Sequence, residues 1–390
     1  MSSIVNMVDV LKRLESKVLH VNPVACVKVR HRNANCTRCS DACPSGAISV
    51  ANNVINIDAT KCIACGSCAV VCPTDAIEFM KPTYNQLNQE IRASMEALDG
   101  EPVIICARAA AHNVANVDKV VTVPCISRVD MAVLLNAAKE GATKITIVDA
   151  QCATCKFKRA AKNYAEVDRE AREILAAWDS PMEIVRSQEV PYAAQPEDIR
   201  EARGGVSRRA FFTNAKSSVK TAASEALTVT LENEMGIKEE KESIHSQLRI
   251  GDNGRIAQAE MPRHEDIMED LFEMGEPGEG TSITSSHWGD IIFNADECNL
   301  CGICATFCPN GALTRVLAPP DEKKPVFKRS QLEKLDCIEF RMADCVACHL
   351  CESVCMRHAI TISDQINCDQ ILEFEPRELR GSMKRQQRMW

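Results

Sequence analysis

The sequence predicts a multidomain chain of mixed α+β and α/β class, with two small cysteine-rich modules flanking a compact parallel α/β domain. Three observations carry this expectation. Cysteine is abundant, 22 in 390 residues, and gathers in tight groups near both ends of the chain. The groups repeat one another, so the chain is organised by an internal repeat. Between them, β-branched runs alternate with amphipathic segments over residues 101–178.

Composition removes several classes. The net charge is −8 and aromatic residues make up 4%, so there is no electrostatic or stacking footprint for nucleic acid. There is no run of about eighteen apolar residues of the kind a membrane span needs. Residues 1–25 open with MSSIVNMVDVLKRLESKVLH, which has the spacing of an amphipathic N-terminal helix rather than the apolar block of a signal peptide. Disulfide scaffolds are short and secreted. Closely spaced thiols in a long chain without a secretion signal point instead to metal ligands in a reducing compartment, which implies a cytoplasmic protein.

Residues 26–80 form the first cysteine-rich module and 289–368 the second. Four segments end alike: CPSGAI from Cys43, CPTDAI from Cys72, CPNGAL from Cys308 and CMRHAI from Cys355. Three of them begin with a full C-x2-C-x2-C-x3-C run: Cys62, Cys65, Cys68, Cys72; Cys298, Cys301, Cys304, Cys308; and Cys345, Cys348, Cys351, Cys355. AISVANNVINID at 47–58 reads as a strand–turn–strand unit between paired groups. Three cysteines on a tight loop can wrap three irons of one cubane while the fourth points to its neighbour. This is the bacterial two-cluster ferredoxin arrangement, occurring twice, and the chain resembles polyferredoxin-type electron-transfer subunits. Crossed ligation then predicts one 4Fe–4S set from Cys62, Cys65, Cys68 and Cys43. It predicts another from Cys298, Cys301, Cys304 and Cys355, and another from Cys345, Cys348, Cys351 and Cys308. Gly66 and Gly302, directly after a ligand, let backbone N–H groups approach sulfur. The competing reading is a zinc ribbon built from the same C-x2-C pairs.

The first group, NCTRCSDACPSGAI, is one cysteine short, with Asn33 where a ligand would stand. Cys26, ten residues before Cys36, fills the place across a lengthened loop, VKVRHRNAN. The first set becomes Cys26, Cys36, Cys39 and Cys72. A three-cysteine site, or a cubane with one exchangeable iron, is the alternative, and His31 in the loop is read as solvated rather than ligating. Near the other end, Cys337 rivals Cys345 as the first ligand of the last motif, with regular spacing favouring Cys345. Cys368 stands alone and is read as a small hydrophobe. His349, next to a ligand, is read as tuning a centre by its charge.

Residues 81–180 form the middle domain. PVIIC (102–106), VVTVPC (120–125) and KITIVDA (144–150) read as buried strands. SRVDMAVLLNAAKEG (127–141) and 156–178 read as helices, the pattern of a parallel sheet. Its strands lead into Cys106, Cys125 and the Cys152/Cys155 pair, at the carboxyl ends where open α/β sheets build sites. VPCISRVDMAVLLNAAKEGATKITIVDAQCATCKFKRA resembles the iron–sulfur delta subunit of methyl-viologen-reducing hydrogenases over about eighty residues. That resemblance implies a 2Fe–2S centre on Cys106, Cys125, Cys152 and Cys155. The sequence departs from the family in lacking a further cysteine near the first strand and in ending Ala-Thr-Cys rather than Gly-Asp-Cys. Zinc or unliganded core thiols are the other readings.

Residues 181–288 read as a polar helical connector, with a helical stretch over RRAFFTNAKSSVKTAASEALTVTLENEM. Its SRRAFF is a chance likeness to a twin-arginine signal, because no apolar stretch follows. APPDEKKPVFKRSQ at 318–331 reads as an exposed insert, and 369–390 as a basic tail. Dinucleotide, P-loop, nucleophile-elbow and zinc-protease motifs are all missing. These readings converge on an electron-transfer subunit with no bond-making step. It would carry four 4Fe–4S clusters and a further 2Fe–2S-type centre between a donor and a catalytic or flavin subunit. By family analogy the partners are a hydrogenase, a heterodisulfide-reductase-type flavoprotein, or a molybdenum or tungsten oxidoreductase. The rivals are an iron–sulfur enzyme with a substrate-binding cluster and a zinc-binding or redox-sensing structural protein.

Overall fold

The computed structural model describes residues 18–51, 54–149, 152–197, 248, 250–251, 255–319 and 335–382. The expected helix over most of 1–25, the helical stretch at 208–235, most of the 318–331 insert and the last eight residues lie outside these.

The first module is built from very short elements. Strand β1 (Leu19–Val21) precedes helices α1 (Val27–Arg30) and α2 (Arg38–Ala42), the hairpin β2 (Ile48–Ala51) and β3 (Val54–Ile57), helix α3 (Ser67–Val70) and strand β4 (Ile77–Phe79). β1 pairs antiparallel with β4, so Leu19–Val21, inside the stretch expected to be helical, is a strand closing the module. β2 and β3 form the expected hairpin, with Ile48 opposite Ile57.

The middle domain starts at α4 (Tyr84–Ala97), which Thr83 and Gln86 cap reciprocally. It continues through β5 (Val103–Cys106), α5 (Ala107–Ala110), β6 (Val120–Val123), α6 (Met131–Lys139), β7 (Lys144–Val148), α7 (Arg159–Ala177) and β8 (Glu183–Ser187). Asp130 N-caps α6 by accepting from the Val133 N–H at 3.0 Å. The four strands are parallel in the order β6-β5-β7-β8. The fourth strand comes from residues read as connector: Glu183–Ser187 is an edge strand in which only Ile184 is buried, a weak signal among polar neighbours. Ile104, Ile105, Leu134, Leu135, Ile145 and Ile147 are fully buried between sheet and helices. Each stabilises the domain by roughly 1.5–3 kcal/mol relative to exposure.

Helix α8 (Pro262–Met274) leads into β9 (Ser282–Thr284) and the second module. That module comprises β10 (Asp290–Phe293), α9 (Ile303–Phe307), β11 (Leu313–Leu317), β12 (Leu335–Phe340), α10 (Leu350–Val354), β13 (Ile360–Ser363), β14 (Gln365–Asn367) and β15 (Arg377–Leu379). β10 pairs with β13 as β1 pairs with β4, and β11 pairs with β12 as β2 pairs with β3. The sequence repeat is therefore a repeat of topology. β15, from the expected tail, adds a third strand beside β12. Among the described residues no helix is long and apolar enough to cross a membrane.

Three parts pack as one body around α7 and α8. Ile267 and Leu271 of α8 are fully buried, and Asp270 accepts from Asn136 Nδ2 at 3.2 Å beside Lys139 of α6. His264 bonds the Ala343 carbonyl of the second module at 2.8 Å. Glu170 of α7, 1% exposed, accepts from Ser285 Oγ at 2.6 Å, Ser286 Oγ at 2.7 Å and the Ser286 N–H at 2.9 Å. Burial pushes its carboxyl up, but His287 and the two hydroxyls outweigh that and hold it down at about 2.

Glu170→Ala leaves these buried donors unpaired and is expected to cost about 3 kcal/mol, read from urea unfolding midpoints at pH 7. Because the folded-state value lies below the ordinary 4.5, this contribution is full above pH 4.5 and fades as pH falls towards 2. The gap between native and variant midpoints should narrow over that window. A gap that is the same at pH 7 and pH 3 would contradict the assignment.

Candidate iron–sulfur centres

The loops between motif cysteines share an unusual backbone. Ala64, Leu300 and Ala347 have φ of 53°, 52° and 45°, each directly before the second motif cysteine. Directly after it stand Gly66, Gly302 and His349, at 82°, 73° and 57°. Left-handed residues turn successive N–H groups inward into a concave nest suited to anionic sulfur. A second repeat lies three residues past each fourth cysteine, where Gly46, Asp75, Gly311 and His358 have φ of 64°, 47°, 75° and 53°. That turn aims the next N–H at the thiol: Ala47 N–H reaches Cys43 Sγ at 3.2 Å, and Ala359 N–H reaches Cys355 Sγ at 3.3 Å. Leu300 N–H reaches Cys298 Sγ at 3.4 Å.

The sulfurs gather in five sets. Cys43, Cys62, Cys65 and Cys68 line one cavity, and Cys308, Cys345, Cys348 and Cys351 line a second. Cys26, Cys36, Cys39 and Cys72 line a third. Cys26, at the start of α1, thus stands beside the three cysteines with which its spacing grouped it. Cys298, Cys301, Cys304 and Cys355 lie within electrostatic reach of one another, as do Cys106, Cys125, Cys152 and Cys155. The last four stand at the carboxyl end of the parallel sheet. Cys106 ends β5, Cys125 precedes a 3-10 turn after β6, and Cys152 and Cys155 follow β7. Adjacent β5 and β7 lead to opposite sides of the sheet, which makes this its switch point.

Cys337 lies elsewhere. It is buried in β12 opposite Val316, and the charged groups around it are Glu378, Arg380, Asp336 and Glu339. Cys368 is fully buried at a 3-10 turn near Thr281. His31 accepts from the Asn33 N–H and packs edge-on against Phe307 with centroids 4.6 Å apart, so it is a packing residue. His349 pairs with Glu352 at 3.0 Å.

Several thiols in these sets are raised by burial. Burial, then repulsion from Cys72, Cys36 and Cys26, pushes the Cys39 thiol up to about 12. Burial, then repulsion from Cys106, Asp149, Cys125 and Cys155, does the same for Cys152. Burial likewise takes Cys345 to about 12 and Cys65 to about 11 against opposing backbone N–H bonds. Raised in this way, these thiols favour the protonated form unless a cation stands among them. Cys43 alone moves down: burial raises it, but Ser45, Ala47 and Ile48 bond its sulfur and prevail. Among the described residues no three His, Cys, Asp or Glu side chains converge tightly enough for a single metal ion. Three of the sets line a cavity of their own.

Side chains that single-sequence reading passed over hold these loops. Arg263 of α8 donates to the carbonyls of Ala69 at 2.7 Å, Val70 at 2.9 Å and Cys72, and pairs with Asp75 at 2.8 Å. Ser127 Oγ donates to the Cys65 carbonyl at 3.3 Å. A Cβ on Gly66 would stand 2.6 Å from Arg128 Cδ, so the glycine answers both to its φ and to this contact. Arg128 was legible only as part of SRVD, and nothing local marked PRHEDI as the start of α8.

Residues 55–78 and 291–314 each match the family described as 4Fe-4S binding domain. Residues 105–203 match methyl-viologen-reducing hydrogenase, delta subunit. The chain therefore carries two 4Fe–4S ferredoxin segments and a hydrogenase-delta-type middle domain. Among curated proteins it is 49% identical over 44 residues to a component of the ion-translocating oxidoreductase complex of Methanosarcina acetivorans, covering 11% of this chain and 17% of that one. It is 37% identical over 67 residues to an uncharacterized ferredoxin of Methanocaldococcus jannaschii, covering 17% of this chain and 42% of that one. The matched stretches span less than half of either relative.

Cys26→Ser is expected to lower iron by up to about four atoms per chain, because one cubane loses a ligand. Cys345→Ser should do the same and Cys337→Ser should change nothing, all measured by iron assay on chains purified without air. Full iron after Cys26→Ser, or a loss after Cys337→Ser, would overturn these two groupings.

Proposed function

We propose that this chain is the electron-transfer subunit of an oxidoreductase complex. It would hold four 4Fe–4S clusters on the sixteen ferredoxin-motif thiols and a further iron–sulfur centre, of 2Fe–2S type, on Cys106, Cys125, Cys152 and Cys155. The observation that carries this reading is the gathering of sixteen motif cysteines into four sets, each completed by a cysteine from the neighbouring motif. Bound clusters supply reversible one-electron redox chemistry. The chain's own residues hold and tune them. Nest N–H groups bond the thiolates and favour the more reduced, more negative state, while the Arg263 guanidinium adds positive charge beside the Cys72 loop. Burial of Cys43, Cys65, Cys68, Cys72, Cys298 and Cys304 limits solvent at those positions.

The middle domain and the partial relatives support a place inside a larger assembly. Its partners would be a hydrogenase, a heterodisulfide-reductase-type flavoprotein, or a molybdenum or tungsten oxidoreductase. No constellation in the chain suggests a bond-making step of its own.

The chain purified without air should contain about eighteen irons, four per cubane and two in the middle domain, with matching acid-labile sulfide. Frozen and reduced with dithionite, it should give overlapping low-temperature EPR signals from several interacting centres. Zinc in place of iron, with no such signals, would overturn the reading. About sixteen irons would place the error in the middle-domain centre alone.

A further inference from the structure

The order of the five sets in space differs from their order in sequence. We propose that they form one unbranched array. It runs from the middle-domain set (Cys106, Cys125, Cys152, Cys155) to the set on Cys62, then the set on Cys26, then the set on Cys345, and ends at the set on Cys298. The lengthened loop between Cys26 and Cys36 is the part of the chain that joins its two halves. This inference rests on the electron-transfer reading above and adds to it the connectivity.

Each neighbour relation stands on its own contacts. The middle-domain set meets the first module where Ser127 Oγ bonds the Cys65 carbonyl and Arg128 lies against Gly66. Within each module the two sets exchange their fourth cysteines, Cys43 and Cys72 in one, Cys308 and Cys355 in the other, so they are adjacent by construction.

The decisive junction joins modules more than two hundred residues apart in sequence. Cys36 and Cys348 pack on one apolar cluster made of Val27, Ala34, Leu350 and Val354, drawn from both modules. Cys26, Cys72 and Cys348 meet around a second, which includes Ala25, Met261 and Val346. Arg38 Nη2 donates to the Ala347 carbonyl at 2.9 Å, between two cysteines of the facing motif. Arg30 Nη2 donates to the Ala257 carbonyl at 2.9 Å, and His31 packs on Phe307. Val27, Arg30, His31 and Ala34 all belong to the inserted loop. A regular C-x2-C turn has only two residues at this place and cannot supply these contacts. The insertion that made the first motif look defective is thus the surface that seats the second module against it.

An unbranched array has two ends, and here both reach the surface. Cys301 is exposed, the only site cysteine among the described residues that is fully so. At the other end Ala153 and Thr154, between Cys152 and Cys155, are exposed. Electron tunnelling weakens exponentially with separation, so a donor and an acceptor would dock at these two ends.

The test uses the full chain, reduced and frozen, with EPR power saturation as the readout. Cys26→Ala, which disables the set on Cys26, should weaken the spin coupling in the signals of both flanking sets, the one on Cys62 and the one on Cys345, each of which keeps its other neighbour. Cys298→Ala should disturb only the set on Cys345. Loss of coupling confined to the first module in Cys26→Ala would overturn the array. A second measurement covers collapse of the first module in that variant. A photoreactive benzoylphenylalanine replaces Phe307 in the otherwise native chain. Irradiation should cross-link it to residues 26–36, and cross-links confined to the second module would overturn the junction. A chain that binds no iron defeats the electron-transfer reading, while the cross-link still reports on the junction, so the two failures are distinguishable.

Discussion

The contact on which the assembly most depends is the Arg263 guanidinium at the start of α8. It sits among the carbonyls of Ala69, Val70 and Cys72 and pairs with Asp75, all in the loop that carries Cys72. These carbonyls lie at and just past the C-terminal end of a four-residue helix, where the Ala69 carbonyl also accepts from the Val71 and Cys72 N–H groups. Arg263 adds side-chain donors and a positive charge at a helix C-terminus, a favourable place for one. The next residue, His264, bonds the second module, and the remaining turns of α8 bury Ile267 and Leu271 in the middle domain. One helix therefore ties three parts whose separate cores differ greatly in size.

That difference explains why such a tie is needed. The middle domain has a continuous apolar core around its sheet, whereas the main core of the first module holds seven buried residues, two of them cysteines. Helices of four or five residues cannot be stable alone. Their stability comes from what the cysteines bind and from packing on neighbours. Glu170 and Asp270 play the same part from α7 and α8, as buried carboxylates whose bonds reach across boundaries between parts.

The loops around the cysteines carry the chemistry in their backbone. Gly66 and Gly302 take the left-handed conformation at no steric cost, yet Ala64, Leu300, Ala347 and His349 take it too. Such residues resist it, at about 1 kcal/mol or more each, so the surrounding contacts enforce it. The first motif lacks this geometry between Cys36 and Cys39, in keeping with its different spacing and with the work its upstream loop does elsewhere.

The cysteine grouping, the hairpin at 48–57, the parallel order of strands and helices and the repeat of two modules were all legible in the sequence. Each is set by local spacing or periodicity, which a single chain displays directly. The extra edge strand Glu183–Ser187, helix α8, strand Arg377–Leu379 and the contacts of Arg263, Arg128 and Glu170 were not. They are polar or short segments whose conformation is chosen by partners far away in sequence. His31 shows the limit most plainly: in the sequence it is a histidine in a basic loop, and only Phe307, 276 positions later, makes it a packing residue. By itself the sequence determined the two- and three-residue spacings from which the proposed cysteine sets were grouped. The tertiary structure decided which cysteine sets stand against one another, because that depends on how apolar and charged surfaces of separate modules fit together.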